Sequence, residues 1–285
     1  MITGSRASGT LGLTALAMLA FAANSLLCRL ALAPALIDAS SFATLRVAAG
    51  TLTLAIIALA TGRRSRPTVD QAAVLALFGY MVCFSFAYLS LSAGTGALIL
   101  FGAVQLTMFV AALRAGESFA PLAWVGLSCA LLGLVYLVSP GLAAPDPLGA
   151  TLMAAAGFSW GIYSLRGRRA IDALSATTSN FALTLPLVAI VSLLARQGIH
   201  VSKAGVAYAL ASGTIASGLG YVVWFAAVRR LAATTAATVQ LSVPVIAAFG
   251  GIVLLGEALS LRLIVASAAT LGGIWLVLAQ RAKAV

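Results

Sequence analysis

Arg46 is the one charged residue that falls well inside a long apolar run, the stretch from about residue 39 to 61. An ionisable group in such a run is a functional candidate by default, because a charge in hydrocarbon is retained only where it faces protein, water or a ligand. Two chemistries suit it. A planar guanidinium can grip a substrate carboxylate, or it can serve as a structural arginine bonded to backbone carbonyls of a neighbouring helix. Glu117 and Glu257 each follow a glycine, Gly116 and Gly256, at the ends of apolar runs. There they close helices through nearby backbone or Arg groups, or else act in gating or coupling.

Around these charges, polar and aromatic residues recur at helical spacing, so that each set can present one face. They are Asn24 and Ser25, Tyr80 and Phe84, Phe101 and Gln105, Trp160 and Tyr163, Tyr221 and Trp224, and Gln240 and Ser242. Such faces suit a binding cavity for a small molecule, with aromatic rings for an apolar body and Asn, Gln and Ser for a polar head. Taken singly, Tyr80 or Trp224 fits core packing or an interfacial belt equally well. Pro244 withholds one backbone N–H, which leaves a carbonyl near Gln240 free for water or substrate.

Enzyme chemistry has no support. The sequence contains no Walker run, no His-Glu-x-x-His and no Gly-x-Ser-x-Gly. The single His200 stands in a polar connection without a Cys or carboxylate nearby, and reads as a surface histidine. Three cysteines, Cys28, Cys83 and Cys129, lie in apolar runs and form neither a disulfide framework nor a metal site. No cofactor is expected. The lack of a carboxylate near mid-membrane leaves facilitated export or exchange as open as proton antiport.

The elements that must position these residues follow from composition. Only 23 of 285 residues are charged and 62% are hydrophobic, where a soluble domain of this size would carry roughly 71 charged residues. A soluble globular protein is excluded. Apolar runs separated by charged, Gly-rich or Pro-rich breaks predict ten transmembrane helices at about 10–32, 39–61, 70–91, 95–114, 120–139, 148–166, 175–196, 204–228, 233–255 and 261–280. The start resembles a signal peptide, with Arg6, an apolar run Leu11–Leu19 and small residues after it. We read it as a retained first helix, because the repeat described next requires one.

With the N-terminus inside, twelve of the seventeen basic residues fall on the cytoplasmic side and only Arg29, Arg196, Lys203 and Arg262 outside. Both termini are therefore expected to be cytoplasmic. The net charge of +11 then reads as a set of topology signals facing anionic lipid rather than a nucleic-acid surface. The short loops and the Arg-over-Lys bias point to a bacterial inner membrane. A monomer is expected, with the lipid bilayer and a small-molecule substrate as its partners.

The chain repeats itself. Leu113-Arg114-Ala115-Gly116-Glu117 recurs 140 residues later as Val253-Leu254-Leu255-Gly256-Glu257, and Tyr80 and Phe84 match Tyr221 and Phe225. Phe21 and Arg29 match Phe158 and Arg166. The near-constant offset divides the chain into two five-helix repeats, 1–142 and 143–285. Because five is odd, the second enters the membrane inverted, and the pair can open a shared cavity to either side in turn. The runs Gly157-x-x-x-Gly161 and Ser212-Gly213 through Ser217-Gly218 permit close helix approach.

The five-plus-five plan, the Gly-Glu pairs closing helices four and nine, and Leu241-Ser242-Val243-Pro244-Val245 resemble the EamA type of the drug/metabolite transporter superfamily. Among its members the chain is most similar to YddG-like exporters of aromatic and other neutral amino acids. The resemblance implies a secondary, non-ATP exporter of small metabolites working by alternating access through a central cavity. At the position equivalent to Pro244 this chain has Val104, where the family often has proline. Two other readings compete: an exporter of drugs or organic cations, which would want an intramembrane carboxylate, and a membrane scaffold, which would have a filled core.

Overall fold

The computed structural model describes residues 2–62, 69–141, 144–168, 170–231 and 233–283, with side chains described for these except at 2–8, 233–235 and 281–283. The first seven helices are α1 (Ile2–Leu32), α2 (Ala39–Ala60), α3 (Gln71–Ala87), α4 (Ala93–Arg114), α5 (Pro121–Val138), α6 (Pro147–Gly167) and α7 (Ala173–Leu194). There follow α8 (Lys203–Val228), α9 in two segments (Ala233–Gln240 and Ser242–Leu255) and α10 (Leu261–Lys283). Nine of these are long and apolar enough to cross a membrane, and α3 is a shorter apolar helix. The protein is an all-α polytopic membrane protein.

The helices start where short polar side chains satisfy orphan N–H groups. Asp38, Asp70, Ser92, Asp146, Asp172 and Ser202 each accept a hydrogen bond from the first turn of the helix that follows. Pro121 and Pro147 occupy first-turn positions of α5 and α6, where no donor is lost. At the other end, Gly116 and Gly256 both take left-handed backbone, with φ of +83° and +65°. That conformation favours glycine, which explains why α4 and α9 both close on Gly-Glu. The Glu117 N–H then bonds the Ala112 carbonyl, and that of Glu257 the Gly251 carbonyl.

Three departures from the expected elements matter for the site. In α8, residues Ser212–Leu219 form a π-helical stretch rather than regular α-helix. In α9 the interruption falls at Leu241, three residues before Pro244, with Ser242 Oγ donating to the Val239 carbonyl. The proline still withholds the N–H that would have reached Gln240, but the break is a short turn upstream of it. In α7, Pro186 lies inside a helix that continues past it.

Helices pack in the pairs α3 with α6, α1 with α8, α4 with α6, α1 with α9, α2 with α7, α5 with α10 and α4 with α9. Several contacts are backbone-close because one partner is glycine. A Cβ on Gly157 would stand 2.5 Å from the Leu100 carbonyl oxygen, and one on Gly126 would stand 2.6 Å from that of Gly273. One continuous buried core draws on all ten helices, α5 contributing Leu137.

Candidate substrate-binding site

Arg46 is fully buried. Its Nε donates to Ser217 Oγ at 3.1 Å and its Nη2 to the Tyr80 hydroxyl at 3.1 Å. Its guanidinium carbon stands 4.9 Å from the centre of the Phe84 ring and 5.2 Å from that of Tyr80, a range in which the ring faces attract a cation. Nη1 is buried with no hydrogen-bond partner. The expectation of a structural arginine bonded to backbone carbonyls is corrected here, since the recorded bonds go to two side-chain hydroxyls. Those hydroxyls neutralise nothing, so the group keeps its whole positive charge inside the bundle.

Sequence order explains how this arrangement forms. Tyr80 and Phe84, one helical turn apart on α3, present their rings side by side at 5.2 Å. The π-helical stretch of α8 supplies two hydroxyls to the cluster: Ser217 on Arg46, and Ser212, which donates to Asn24 Oδ1 at 2.6 Å. Asn24 in turn donates to the Tyr80 hydroxyl at 3.2 Å. A Cβ on Gly213 would strike the Arg46 carbonyl oxygen, so the approach of α8 to α2 depends on that glycine. The run read as packing glue thus packs and also carries site hydroxyls, consistent with π-turns clustering at functional positions.

Aromatic rings close the cluster. Trp160 lies 5.0 Å from both Tyr80 and Tyr221, 5.7 Å from Tyr163 and 5.9 Å from Phe21. Phe21 also meets Trp224 edge-on at 5.8 Å, and Phe181 meets Tyr221 at 5.6 Å. The Tyr221 hydroxyl is buried without a hydrogen bond of good geometry.

A cavity of about 440 Å³ lies at the end of the bundle where α4 and α6 finish. Gln105, Glu117, Arg168 and Ala237 are among its lining residues. A smaller space of about 40 Å³ shares Arg168 and Ala237 with it and is lined deeper by Trp160, Tyr163, Trp224 and Gln240. Gln105 Nε2 bonds the Ala237 carbonyl at 3.3 Å, and Gln240 Nε2 that of Ala236. It is this second, smaller space beside the vestibule that reaches Trp160, whose ring also packs on Tyr80, the tyrosine bonded to Arg46.

The opposite end is latched. Glu257 Oε1 pairs with Arg29 Nε at 3.1 Å, and Oε2 accepts the Ala93 N–H at the start of α4 at 2.9 Å. Arg29 Nη1 reaches the carbonyls of Tyr88 and Leu89, at 3.0 and 3.3 Å. One carboxylate and one guanidinium thereby tie α1, α9 and the α3–α4 connection together. Beside them the α1–α2 and α7–α8 loops are stitched by the Asp38 N–H to the His200 carbonyl and the Ser202 N–H to the Leu36 carbonyl.

Of the residues expected to form the site, Asn24, Arg46, Tyr80, Phe84, Trp160, Tyr163, Tyr221 and Trp224 come together. Gln105 and Gln240 line the vestibule rather than the cluster. Phe101 is buried in α4 and Ser242 Oγ donates back to the Val239 carbonyl of the preceding segment of α9; neither lines the vestibule or joins the rings. Ser25 lies against the Tyr88 hydroxyl instead. Phe21, Phe181, Ser212, Ser217 and Arg29 were not singled out as site residues. For Phe21 and Arg29 the repeat matches were the available signal, and Phe181 likewise matches Phe42 at an offset of 139.

Residues 147–279 match the sequence profile of the EamA-like transporter family. An uncharacterised protein, PA1977, of Pseudomonas aeruginosa is 49% identical over 273 residues, 95% of either chain. A solved structure described only as a crystal structure of a protein superposes with a TM-score of 0.68 at 21% identity. It covers 96% of this chain and 99% of its own, a likeness of fold alone.

Proposed function

The chain belongs to the EamA-like transporter family, and from that premise we propose that it exports small metabolites built of an aromatic or apolar body and a polar head. Aromatic and other neutral amino acids are the first class to try. One observation carries this reading: a vestibule adjoined by a smaller space that reaches Trp160, next to a buried aromatic cluster holding a guanidinium with an unused N–H. Rings take the body by contact, and the few polar groups fix the head.

The positive-inside bias puts the end where α4 and α6 finish in the cytoplasm. The vestibule then faces the cytoplasm and the Arg29–Glu257 latch closes the periplasmic end, one state of an alternating-access cycle. The reading of two inverted repeats is supported by the packing pairs: exchanging α1–α5 with α6–α10 turns α3–α6 into α8–α1 and α4–α6 into α9–α1, and both occur. An organic-cation exporter fits less well, because all six acidic residues stand at helix ends and the buried charge is positive.

The test is reconstitution in liposomes with radiolabelled Phe, Met and Thr, with and without an imposed pH gradient. Saturable movement of any of them above protein-free vesicles supports the reading. A carrier that moves none of them, nor other small metabolites with an apolar body, removes it.

A further inference from the structure

We infer that the central site selects its cargo by net charge: it takes a monoanionic carboxylate with an aromatic or apolar body in preference to the zwitterion of the same shape. This rests on the transporter reading above and narrows its substrate class.

Asp38, Asp70, Asp146 and Asp172 cap the first turns of α2, α3, α6 and α7, Glu257 is held in the latch, and Glu117 follows the end of α4. These are all six acids of the chain, and none is in the cluster. Arg46 makes its recorded bonds to Ser217 and Tyr80 only, both uncharged. Among the described residues the site therefore carries one uncompensated positive charge, buried in a membrane-spanning bundle. Burying an ion is costly unless something pairs with it, and rings and hydroxyls give it partial relief only.

A ligand carboxylate supplies what is missing. It accepts from Nη1, the N–H without a partner, and the Tyr221 hydroxyl, buried and without a good hydrogen bond, is a second donor of the kind a carboxylate uses. A monoanion leaves the filled site neutral. An amino acid brings the same carboxylate and also an ammonium a few ångströms from it. That ammonium finds no carboxylate in the cluster, and at low effective dielectric the arginine repels it. A simple amine brings only the repelled group.

L-3-Phenyllactate, L-phenylalanine and 2-phenylethylamine form a series that separates these terms. The first two differ only in hydroxyl against ammonium, and the third lacks the carboxylate. Affinities for the purified full-length protein are measured by isothermal titration calorimetry in detergent at pH 7. We expect phenyllactate to bind about tenfold more tightly than phenylalanine, with phenylethylamine weakest. In Arg46→Gln, phenyllactate and phenylalanine should bind with affinities within about twofold of each other, while circular dichroism reports the fold. The wild-type series decides the matter even where that variant does not fold.

Equal or tighter binding of phenylalanine than phenyllactate overturns the charge selection and leaves the transporter reading in place. Measurable binding of phenylethylamine at phenyllactate's affinity does the same. Absence of binding by all three overturns the selection as well; only absence of saturable flux for any small metabolite overturns the transporter reading.

Discussion

At the scale of single residues, Tyr80 is the hinge of the polar network, because its one hydroxyl receives both Arg46 Nη2 and Asn24 Nδ2. Tyr80→Phe keeps the ring under the guanidinium and removes the acceptor. Two buried donors then lose their partner, a loss of about 1–3 kcal/mol. The expected result is a lower melting temperature in detergent with the helical content unchanged; an unaltered melting temperature would show that water or another group replaces the hydroxyl. Arg46→Lys tests the fork itself. Lysine keeps the charge but lacks the planar array of donors, so the variant should fold and transport poorly, and wild-type rates would remove the carboxylate role. Arg46 was legible in the sequence because it was the only charge inside a span. Tyr80 and Phe84 beside it were legible too, but Ser217, which accepts from it on α8, and Phe181, which packs on Tyr221 from α7, were not singled out as site residues.

At the scale of elements, the ends of helices carry all six acidic groups, and this makes them sensitive to acid. Burial pushes the Asp38 carboxyl up, but the hydroxyl of Ser40 and the backbone N–H of Ser41 outweigh it and hold it below the usual carboxylate range. At Asp70 the small desolvation is likewise outweighed, by the Arg166 guanidinium at 2.9 Å and the Ala73 N–H. A carboxyl whose native value is depressed stabilises the fold fully above its unfolded value of about 4, and that contribution is lost as pH falls through the native value. Melting temperature should therefore drop below about pH 4, and less steeply in Asp70→Asn, which has already lost the carboxylate. An identical acid limb in that variant would show that Asp70 contributes nothing. The latch belongs to this scale too. Glu257→Gln removes the charge that holds Arg29 and weakens the grip on the α4 N-terminus, so a cysteine placed at Ser92 should react faster with an impermeant thiol reagent from the latched side. An unchanged rate would mean that the end is sealed by packing alone.

Helix positions were readable to within a few residues because caps and apolar runs are local signals. The π-helical stretch of α8 and the break at Leu241 were not, since both arise from contacts with other helices. Pro244 drew attention to the right element, yet the turn forms upstream, where Ser242 bonds back to Val239. The same contact logic makes Gly157 decisive: Gly157→Val sets a side chain against the Leu100 carbonyl and should cost about 1–3 kcal/mol or more by overpacking, read as a lower melting temperature.

At the scale of the whole molecule, a vestibule stands at one end, a latch at the other, and a buried positive charge between them. The sequence repeat predicts two five-helix halves, and the packing pairs that survive their exchange agree with that proposal. The repeat carried no sign that the two ends differ, with a vestibule at one and the Arg29–Glu257 pair at the other. The central claim is that cargo passes by way of Arg46. Its most direct test is counterflow in proteoliposomes loaded with unlabelled L-3-phenyllactate, with entry of the radiolabelled compound followed for wild type, Arg46→Gln and protein-free vesicles. The account predicts saturable entry for wild type and at least about a tenfold lower rate for the variant; entry that is equal in wild type and Arg46→Gln would contradict it.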